Sequence, residues 1–247
     1  MENRSYLGSI TKYRELGEGT ASIVYHCTYF DADFAYKEYK TFDEYVRFIK
    51  PRLERLSEFY NDNRFVFPYK FIYKNRDDEL FQGYVMNYLY NYEKLSRLND
   101  LEYEEKIKIL KKARTLLDEF HNTYKHIHTD ITPWNFLYNK EMDKVTLIDF
   151  DTAVDLKHKD DINEHFNILA ETYCKYNGID KDLDIFMFNL VTYALLNNEN
   201  DFYGIIKRII ENDYGIIESE NARKILSTYD DITNPKTLKK DYVIDCL

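Results

Sequence analysis

Apolar and polar residues alternate along residues 10–40, a pattern typical of β-strands. Two glycines, Gly17 and Gly19, interrupt the alternation. It resumes behind them at Ile23, Tyr25 and Cys27. Because the glycines lie between two alternating runs, they predict two strands joined by a tight turn, and not a strand that leads into a helix.

Three further strands are predicted before residue 90. In the first, residues 34–39, Ala35 and Lys37 share one face because side chains alternate along a strand. Residues 65–73 and 80–86 are also rich in aromatic and β-branched residues, and a polar turn separates them.

The remaining segments have apolar residues at helical intervals. Residues 41–61 predict a helix that Pro51 is expected to split or kink. Residues 101–125 predict a long amphipathic helix. Residues 184–191 and the segment 201–247 also predict helix.

The composition excludes some classes of function. Hydrophobic residues make up 44% of the 247 residues and aromatic residues 17%, which is enough for a buried core. The net charge of −10 and pI near 5.2 argue against nucleic acid as the main partner, since such binding relies on cationic contacts to phosphate.

Three cysteines, Cys27, Cys174 and Cys246, are widely spaced and fit no metal-binding pattern. They favour a reduced chain without disulfides. The first residues lack the apolar core of a secretion signal, and no apolar run approaches the length of a membrane span. We therefore expect a soluble, cytoplasmic protein.

Candidate chemistry lies in the middle of the chain. His128, Asp130 and Asn135 have H-x-D-x-x-x-x-N spacing, and a short apolar strand at 145–148 leads to Asp149. Phosphoryl transfer needs an acceptor group held in line and metal-binding oxygens near the polyphosphate. An aspartate and an asparagine on one loop, with a second aspartate from a neighbouring strand, suit that reaction.

These residues resemble the protein-kinase-like superfamily, whose catalytic loop reads H-R-D-L-x-x-x-N and whose metal-binding turn reads D-F-G. Here the two motifs read His128-Thr129-Asp130-Ile131-Thr132-Pro133-Trp134-Asn135 and Asp149-Phe150-Asp151. The resemblance implies that Asp130 orients the acceptor hydroxyl and accepts its proton. It also implies that Asn135 and Asp149 bind Mg²⁺, and that His128 supports the loop.

The N-terminal motifs extend the resemblance. The glycine turn is similar to the kinase loop that covers ATP, which implies nucleotide contacts from Gly17, Gly19 and Val24. Ser22 stands where that loop has its third glycine. The strand with Ala35 and Lys37 is similar to V-A-I-K, which implies that Lys37 holds the ATP phosphates.

Further roles follow only from the resemblance. Met86 would be the gatekeeper, and the backbone of Asn87 to Leu89 would bind adenine. A glutamate of the 41–61 helix would pair with Lys37: spacing to the hinge favours Glu58, and spacing to Lys37 favours Glu54. An aspartate that leads a later helix, Asp184, is expected to accept hydrogen bonds from backbone amides beneath the catalytic loop.

Three residues depart from the kinase pattern. Thr129 replaces the arginine that reads activation-segment phosphorylation, so we expect activity without such phosphorylation. Thr132 replaces the lysine usual in serine/threonine kinases, and no A-P-E follows. Asp151 replaces the glycine of D-F-G, as in some small-molecule kinases, and is expected to be a solvated turn residue, with a further metal ligand as the alternative.

The sequence thus predicts an α+β, bilobal, kinase-like fold in a single domain, 1–247, with an antiparallel N-lobe over 1–87 and a mainly helical, shortened C-lobe over 88–247. The predicted function is transfer of the ATP γ-phosphate, with Mg²⁺, to a serine or threonine hydroxyl of a protein. The alternatives are a small-molecule kinase of the aminoglycoside, choline or sugar type, and a nucleotide-binding pseudokinase. The oligomeric state is open.

Overall fold

The chain forms two compact units. A computed structural model describes residues 4–41, 44–76, 80–157, 178–198, 201–202, 204 and 242–246. The first unit comprises Met1–Asn91 and Ile148–Asp151, and the second comprises Tyr92–Leu147 and Thr152–Leu247. The chain therefore leaves the second unit after Leu147, contributes a short segment to the first, and returns at Thr152.

A six-stranded sheet makes up most of the first unit. Its strands are β1 (Arg4–Tyr6), β2 (Ile10–Glu18), β3 (Ser22–Tyr29), β4 (Ala32–Tyr39), β5 (Pro68–Tyr73) and β6 (Phe81–Asn87). The strand order is β1-β5-β6-β4-β3-β2, antiparallel except that β1 runs parallel to β5. The glycine hairpin and the three further strands predicted from the sequence are confirmed.

The register of β3 against β4 is set by a two-residue turn. Both residues of that turn, Phe30 and Asp31, have positive φ (49° and 60°), as type I′ hairpin turns require. Lys37 consequently lies opposite Val24 on β3 and opposite Tyr84 on β6. Directly opposed residues project from the same face of a sheet, so these three side chains share one face.

One helix, α1 (Glu44–Leu56), packs on this sheet, and a short 3₁₀ segment (Ser57–Phe59) follows it. Its apolar residues join a core cluster with the strands: Tyr39, Val46, Ile49, Leu53, Phe71, Tyr73, Phe81 and Tyr84. Of the two outcomes expected at Pro51, the split is wrong, because α1 runs through that residue, and the kink stays a prediction. Apolar residues on both sides of Pro51 are buried in the same cluster, and their burial offsets the lost backbone hydrogen bond.

The described part of the second unit contains the helix α2 (Tyr103–Glu119), which continues into a π-helical turn (Phe120–Tyr124), and the helix α3 (Lys181–Leu196). Short strands accompany them: β7 (Glu93–Lys94), β8 (His126–Ile127), β9 (Phe136–Asn139), β10 (Lys144–Leu147) and β11 (Val154–Asp155). β9 pairs with β10 and β7, and β8 pairs with β11. Two 3₁₀ segments, Leu95–Arg97 and Val243–Cys246, complete the described elements.

The α+β class is confirmed: a largely antiparallel sheet with one helix precedes a mainly helical unit. The first unit's long segment ends at Asn91, somewhat beyond the expected lobe boundary at residue 87, and the single-domain assignment stays a prediction. Most of residues 152–181 and 201–247 lie outside the described residues. None of the helices described is both long and apolar enough to cross a membrane.

Candidate functional site

A row of predicted nucleotide-binding residues crosses the sheet. Gly17 lies opposite Val24, Val24 opposite Lys37, and Lys37 opposite Tyr84. Ala35 lies opposite Met86, two residues along the same strands, so Met86 is on the face that carries Lys37. Strand register alone therefore brings together four residues that the sequence singled out: Gly17, Val24, Lys37 and Met86.

The glycines of the β2–β3 hairpin leave open space. A Cβ placed on Gly17 would meet nothing within 4 Å, and one on Gly19 would meet only the backbone oxygen of Ser22, at 3.8 Å. The backbone N–H of Gly19 donates to that oxygen at 2.9 Å and closes the turn. Packing inside the protein does not require glycine at these positions, so their bare backbone is free for close approach by a ligand.

Lys37 is buried and forms ion pairs with two aspartates of its own unit. Its Nζ lies 2.5 Å from Oδ1 of Asp149 and 2.8 Å from Oδ2 of Asp151. Burial disfavours the ammonium, but the two carboxylates outweigh that penalty and raise the pKa of Lys37 well above its usual value. Lys37 is therefore a fixed positive charge at neutral pH.

Asp151 is buried beside Lys37, so the expectation that it is a solvated turn residue is wrong. Its side chain is 5% exposed. The hydroxyl of Tyr39 donates to Oδ2 and that of Tyr84 donates to Oδ1, both at 3.0 Å. Burial raises the pKa of Asp151, and the charge of Lys37 opposes part of that rise.

Asp149 is the accessible member of the pair. Its side chain is 40% exposed, and its backbone is left-handed, with φ of 65°. The next residue, Phe150, is buried, with its ring centroid 4.7 Å from that of Phe67 and 6.2 Å from that of Phe65. Two buried side chains, Phe150 and Asp151, thus hold the turn that presents Asp149.

The predicted pairing of Lys37 with Glu58, or with Glu54, does not occur. Glu54 pairs with Lys50 at 3.0 Å, one helical turn away on α1. Glu58 is exposed on the 3₁₀ segment that follows α1. Both glutamates are solvated, and Asp151 provides the buried counter-charge. Sequence reasoning missed this role, although strand alternation already placed Tyr39 on the same face as Lys37.

In the second unit, the side chain of Asn135 closes the predicted catalytic loop by donating hydrogen bonds back to Asp130. Its Nδ2 donates to the backbone oxygen and to Oδ2 of Asp130, both at 2.9 Å. The backbone N–H of Asn135 also donates to the oxygen of Thr132 at 3.1 Å. Asp130 is half-buried and Asn135 buried, so the loop holds the carboxylate of Asp130 in one orientation with partial access to solvent.

Asp184 supports this loop from beneath, as predicted. It is fully buried near the start of α3 and accepts hydrogen bonds from the backbone N–H groups of His128, at 2.6 Å, and Thr129, at 2.8 Å. His121 Nε2 lies 2.8 Å from the same carboxylate. Thr129 has φ of 66°, and its hydroxyl donates to the backbone oxygen of Thr152. The hydrogen bonds expected of Asp184 are confirmed.

The predicted adenine-binding backbone, Asn87 to Leu89, begins at the last residue of β6, and its residues are half-buried. Asn87 lies opposite Phe34 in the sheet. The adenine contact itself stays a prediction.

This chain shares two features with the protein-kinase-like class: a buried strand lysine beside the aspartate of the predicted metal-binding turn, and a buried helix aspartate that holds the predicted catalytic loop. The second aspartate of its D-F-D turn departs from the D-F-G of that class. Comparison with known families narrows that class. Residues 82–167 match the RIO domain, a family of atypical kinases within the protein-kinase-like superfamily. The match includes the catalytic loop and the D-F-D turn and covers 86 of the 247 residues.

The superfamily resemblance is thus confirmed over the matched segment. At a coarse level it indicates a kinase-type, ATP-binding protein. No curated protein matches the chain.

Proposed function

We propose that this protein is an ATP-dependent phosphotransferase that moves the γ-phosphate of ATP to a serine or threonine hydroxyl of a protein. One observation carries the proposal: Lys37 lies in a row with Gly17 and Val24 and pairs with the partly exposed Asp149. In the superfamily these positions hold the phosphates and the metal. The RIO-domain match to residues 82–167 supports the same chemistry.

Each residue has a defined task in this proposal. Lys37, permanently charged, would hold the ATP phosphates. Asp130 would orient the acceptor hydroxyl and accept its proton, and Asn135 would keep the Asp130 carboxylate in place through its two hydrogen bonds. Asp184 would fix the backbone of the loop. Little covalent chemistry is left to the protein, because phosphoryl transfer depends mostly on positioning and charge neutralisation.

Asn135 and Asp149 would hold Mg²⁺. Asn135 commits its amide nitrogen to Asp130, which leaves the side-chain oxygen as the group to offer a metal, and Asp149 presents an accessible carboxylate. Both are oxygen donors, as Mg²⁺ prefers. The described ranges contain no group of three or more His, Cys, Asp or Glu able to hold a metal. Mg²⁺ is usually held by one or two protein carboxylates together with substrate phosphates, whose charge it neutralises.

A small-molecule kinase is the second candidate. Thr132 is buried where serine/threonine protein kinases have a lysine, so this position presents no cation to a transferring phosphate. Incubation with radiolabelled ATP separates the candidates when casein, myelin basic protein and the protein itself are compared with aminoglycosides, choline and sugars. Label on protein supports the proposal, and label only on a small molecule replaces it with the second candidate. Thermal stabilisation by Mg-ATP without any transfer would indicate a pseudokinase.

A further inference from the structure

A buried lysine that contacts phosphates needs a lasting counter-charge. An unpaired buried ammonium is expensive, and the lysine would otherwise adopt other rotamers. In the part of the chain that the structure describes, two carboxylates lie within ion-pair distance of Lys37, those of Asp149 and Asp151.

The two carboxylates differ in what else they do. Asp149 is 40% exposed and is the proposed metal ligand, so its charge would be shared with Mg²⁺ when nucleotide binds. Asp151 is buried, and its carboxylate oxygens accept hydrogen bonds from Tyr39 and Tyr84. Asp151 can therefore keep Lys37 in place whether or not Asp149 is engaged.

The tyrosines fix Asp151 from the same sheet that carries Lys37. Tyr39 is two residues from Lys37 on β4, and Tyr84 lies opposite Lys37 on β6. Both rings are almost completely buried in the core under α1. The carboxylate is thus held by strand residues, and none of the described side chains of α1 forms an ion pair with Lys37.

We propose that Asp151 is the positioning residue for Lys37, in the role that the kinase resemblance assigns to a glutamate of the helix. It follows that α1 does not need to move for Lys37 to reach its working position. The effect on catalysis rests on the proposed function, whereas the link between the two side chains does not.

The link is tested by urea unfolding of the full chain without nucleotide, in a double-mutant cycle of Lys37→Met and Asp151→Asn. Lys37→Met leaves the buried Asp151 without its cation, and Asp151→Asn leaves Lys37 with only the partly exposed Asp149 as an ion-pair partner. Each single variant is therefore expected to be destabilised, and the double variant less than the two effects combined. We expect a coupling of at least about tenfold in the unfolding constant.

Matched cycles of Lys37→Met with Glu54→Gln and with Glu58→Gln should give less than about twofold coupling. Additive effects of Lys37 and Asp151, or strong coupling of Lys37 to either glutamate, would overturn the proposal. If Asp151→Asn does not fold, Tyr84→Phe takes its place in the cycle, with an expected coupling of about threefold.

The positioning role is tested by ATP turnover. Asp151→Asn is expected to lower kcat/KM for ATP at least about tenfold in the wild-type background and less than about twofold in the Lys37→Met background. If Asp151 only stabilised the fold, Asp151→Asn would lower kcat/KM for ATP by the same factor in both backgrounds. That result would overturn the positioning role of Asp151. Wild-type protein without any turnover would instead refute the proposed function, and the unfolding cycle alone would then decide.

Discussion

Asn135 donates two hydrogen bonds of 2.9 Å to Asp130, one to the backbone oxygen and one to the side chain. Replacement Asn135→Asp keeps the shape but places two acceptors against each other, so the Asp130 carboxylate should be repelled. We expect the free energy of unfolding to fall by about 1–2 kcal/mol and turnover to fall about a hundredfold. Urea unfolding and single-turnover kinetics measure the two effects. Normal turnover in Asn135→Asp would contradict the assigned role.

Loss of Asp149 should affect the reaction far more than the fold. Its carboxylate is accessible, and Lys37 retains Asp151 as a partner. Asp149→Ala is expected to lower turnover about a thousandfold, since a single metal carboxylate contributes several kcal/mol to the barrier. Excess EDTA should abolish wild-type turnover and added Mg²⁺ restore it. Near-normal activity of Asp149→Ala would refute the metal assignment.

Asp184 should be among the residues most important for stability. Asp184→Ala would leave two backbone N–H groups and His121 without an acceptor in a fully buried place. We expect a loss of about 3–5 kcal/mol in the free energy of unfolding. On the same helix turn, Asp182→Asn should cost less than about 1 kcal/mol, since Asp182 is only half-buried. Equal losses in the two variants would contradict this account.

Gly83 has a packing role that Gly17 lacks. A Cβ on Gly83 would lie 1.9 Å from the backbone oxygen of Lys37, so Gly83→Ala must push β6 away from β4. We expect a loss of about 2–4 kcal/mol, measured by urea unfolding. Gly17→Ala meets no atom within 4 Å and should leave stability within about 0.5 kcal/mol. A Gly83→Ala variant as stable as wild type would show that the strands can separate freely.

Cys27 should be chemically inert in the folded chain. Burial raises the pKa of its thiol to about 12. The fraction of thiolate, which is high only above the pKa, is then about one in ten thousand at pH 8. In a Cys174→Ser, Cys246→Ser background, iodoacetamide at pH 8 should modify Cys27 only after urea is added, as mass spectrometry can follow. Rapid modification of the native protein would contradict the burial.

The sequence predicted the strands and the motif residues, because these depend on residues that are close in the chain. It did not predict contacts between residues far apart in the chain. The resemblance of β4 to V-A-I-K singled out Lys37, and the H-x-D-x-x-x-x-N spacing singled out Asp130 and Asn135. The catalytic roles of these residues stay predictions. The counter-charge of Lys37 could not be predicted in this way. It depends on the left-handed backbone of Asp149 and on the burial of Phe150, which together bring Asp151 to the sheet. The exposed positions of Glu54 on α1 and of Glu58 on the 3₁₀ segment after it likewise depend on packing.

Residues 148–151 belong to the first unit, although the residues on both sides of them belong to the second. This affects how the protein can be divided into fragments. A fragment ending at Asn91 would contain the complete sheet but neither aspartate that neutralises Lys37. In such a fragment Lys37 would be a buried cation without an anion. The isolated N-terminal half therefore cannot reproduce the native surroundings of Lys37. To keep the counter-charges of Lys37, an N-terminal fragment would need the tetrapeptide Ile148–Asp151 joined to it, for example in a circularly permuted chain.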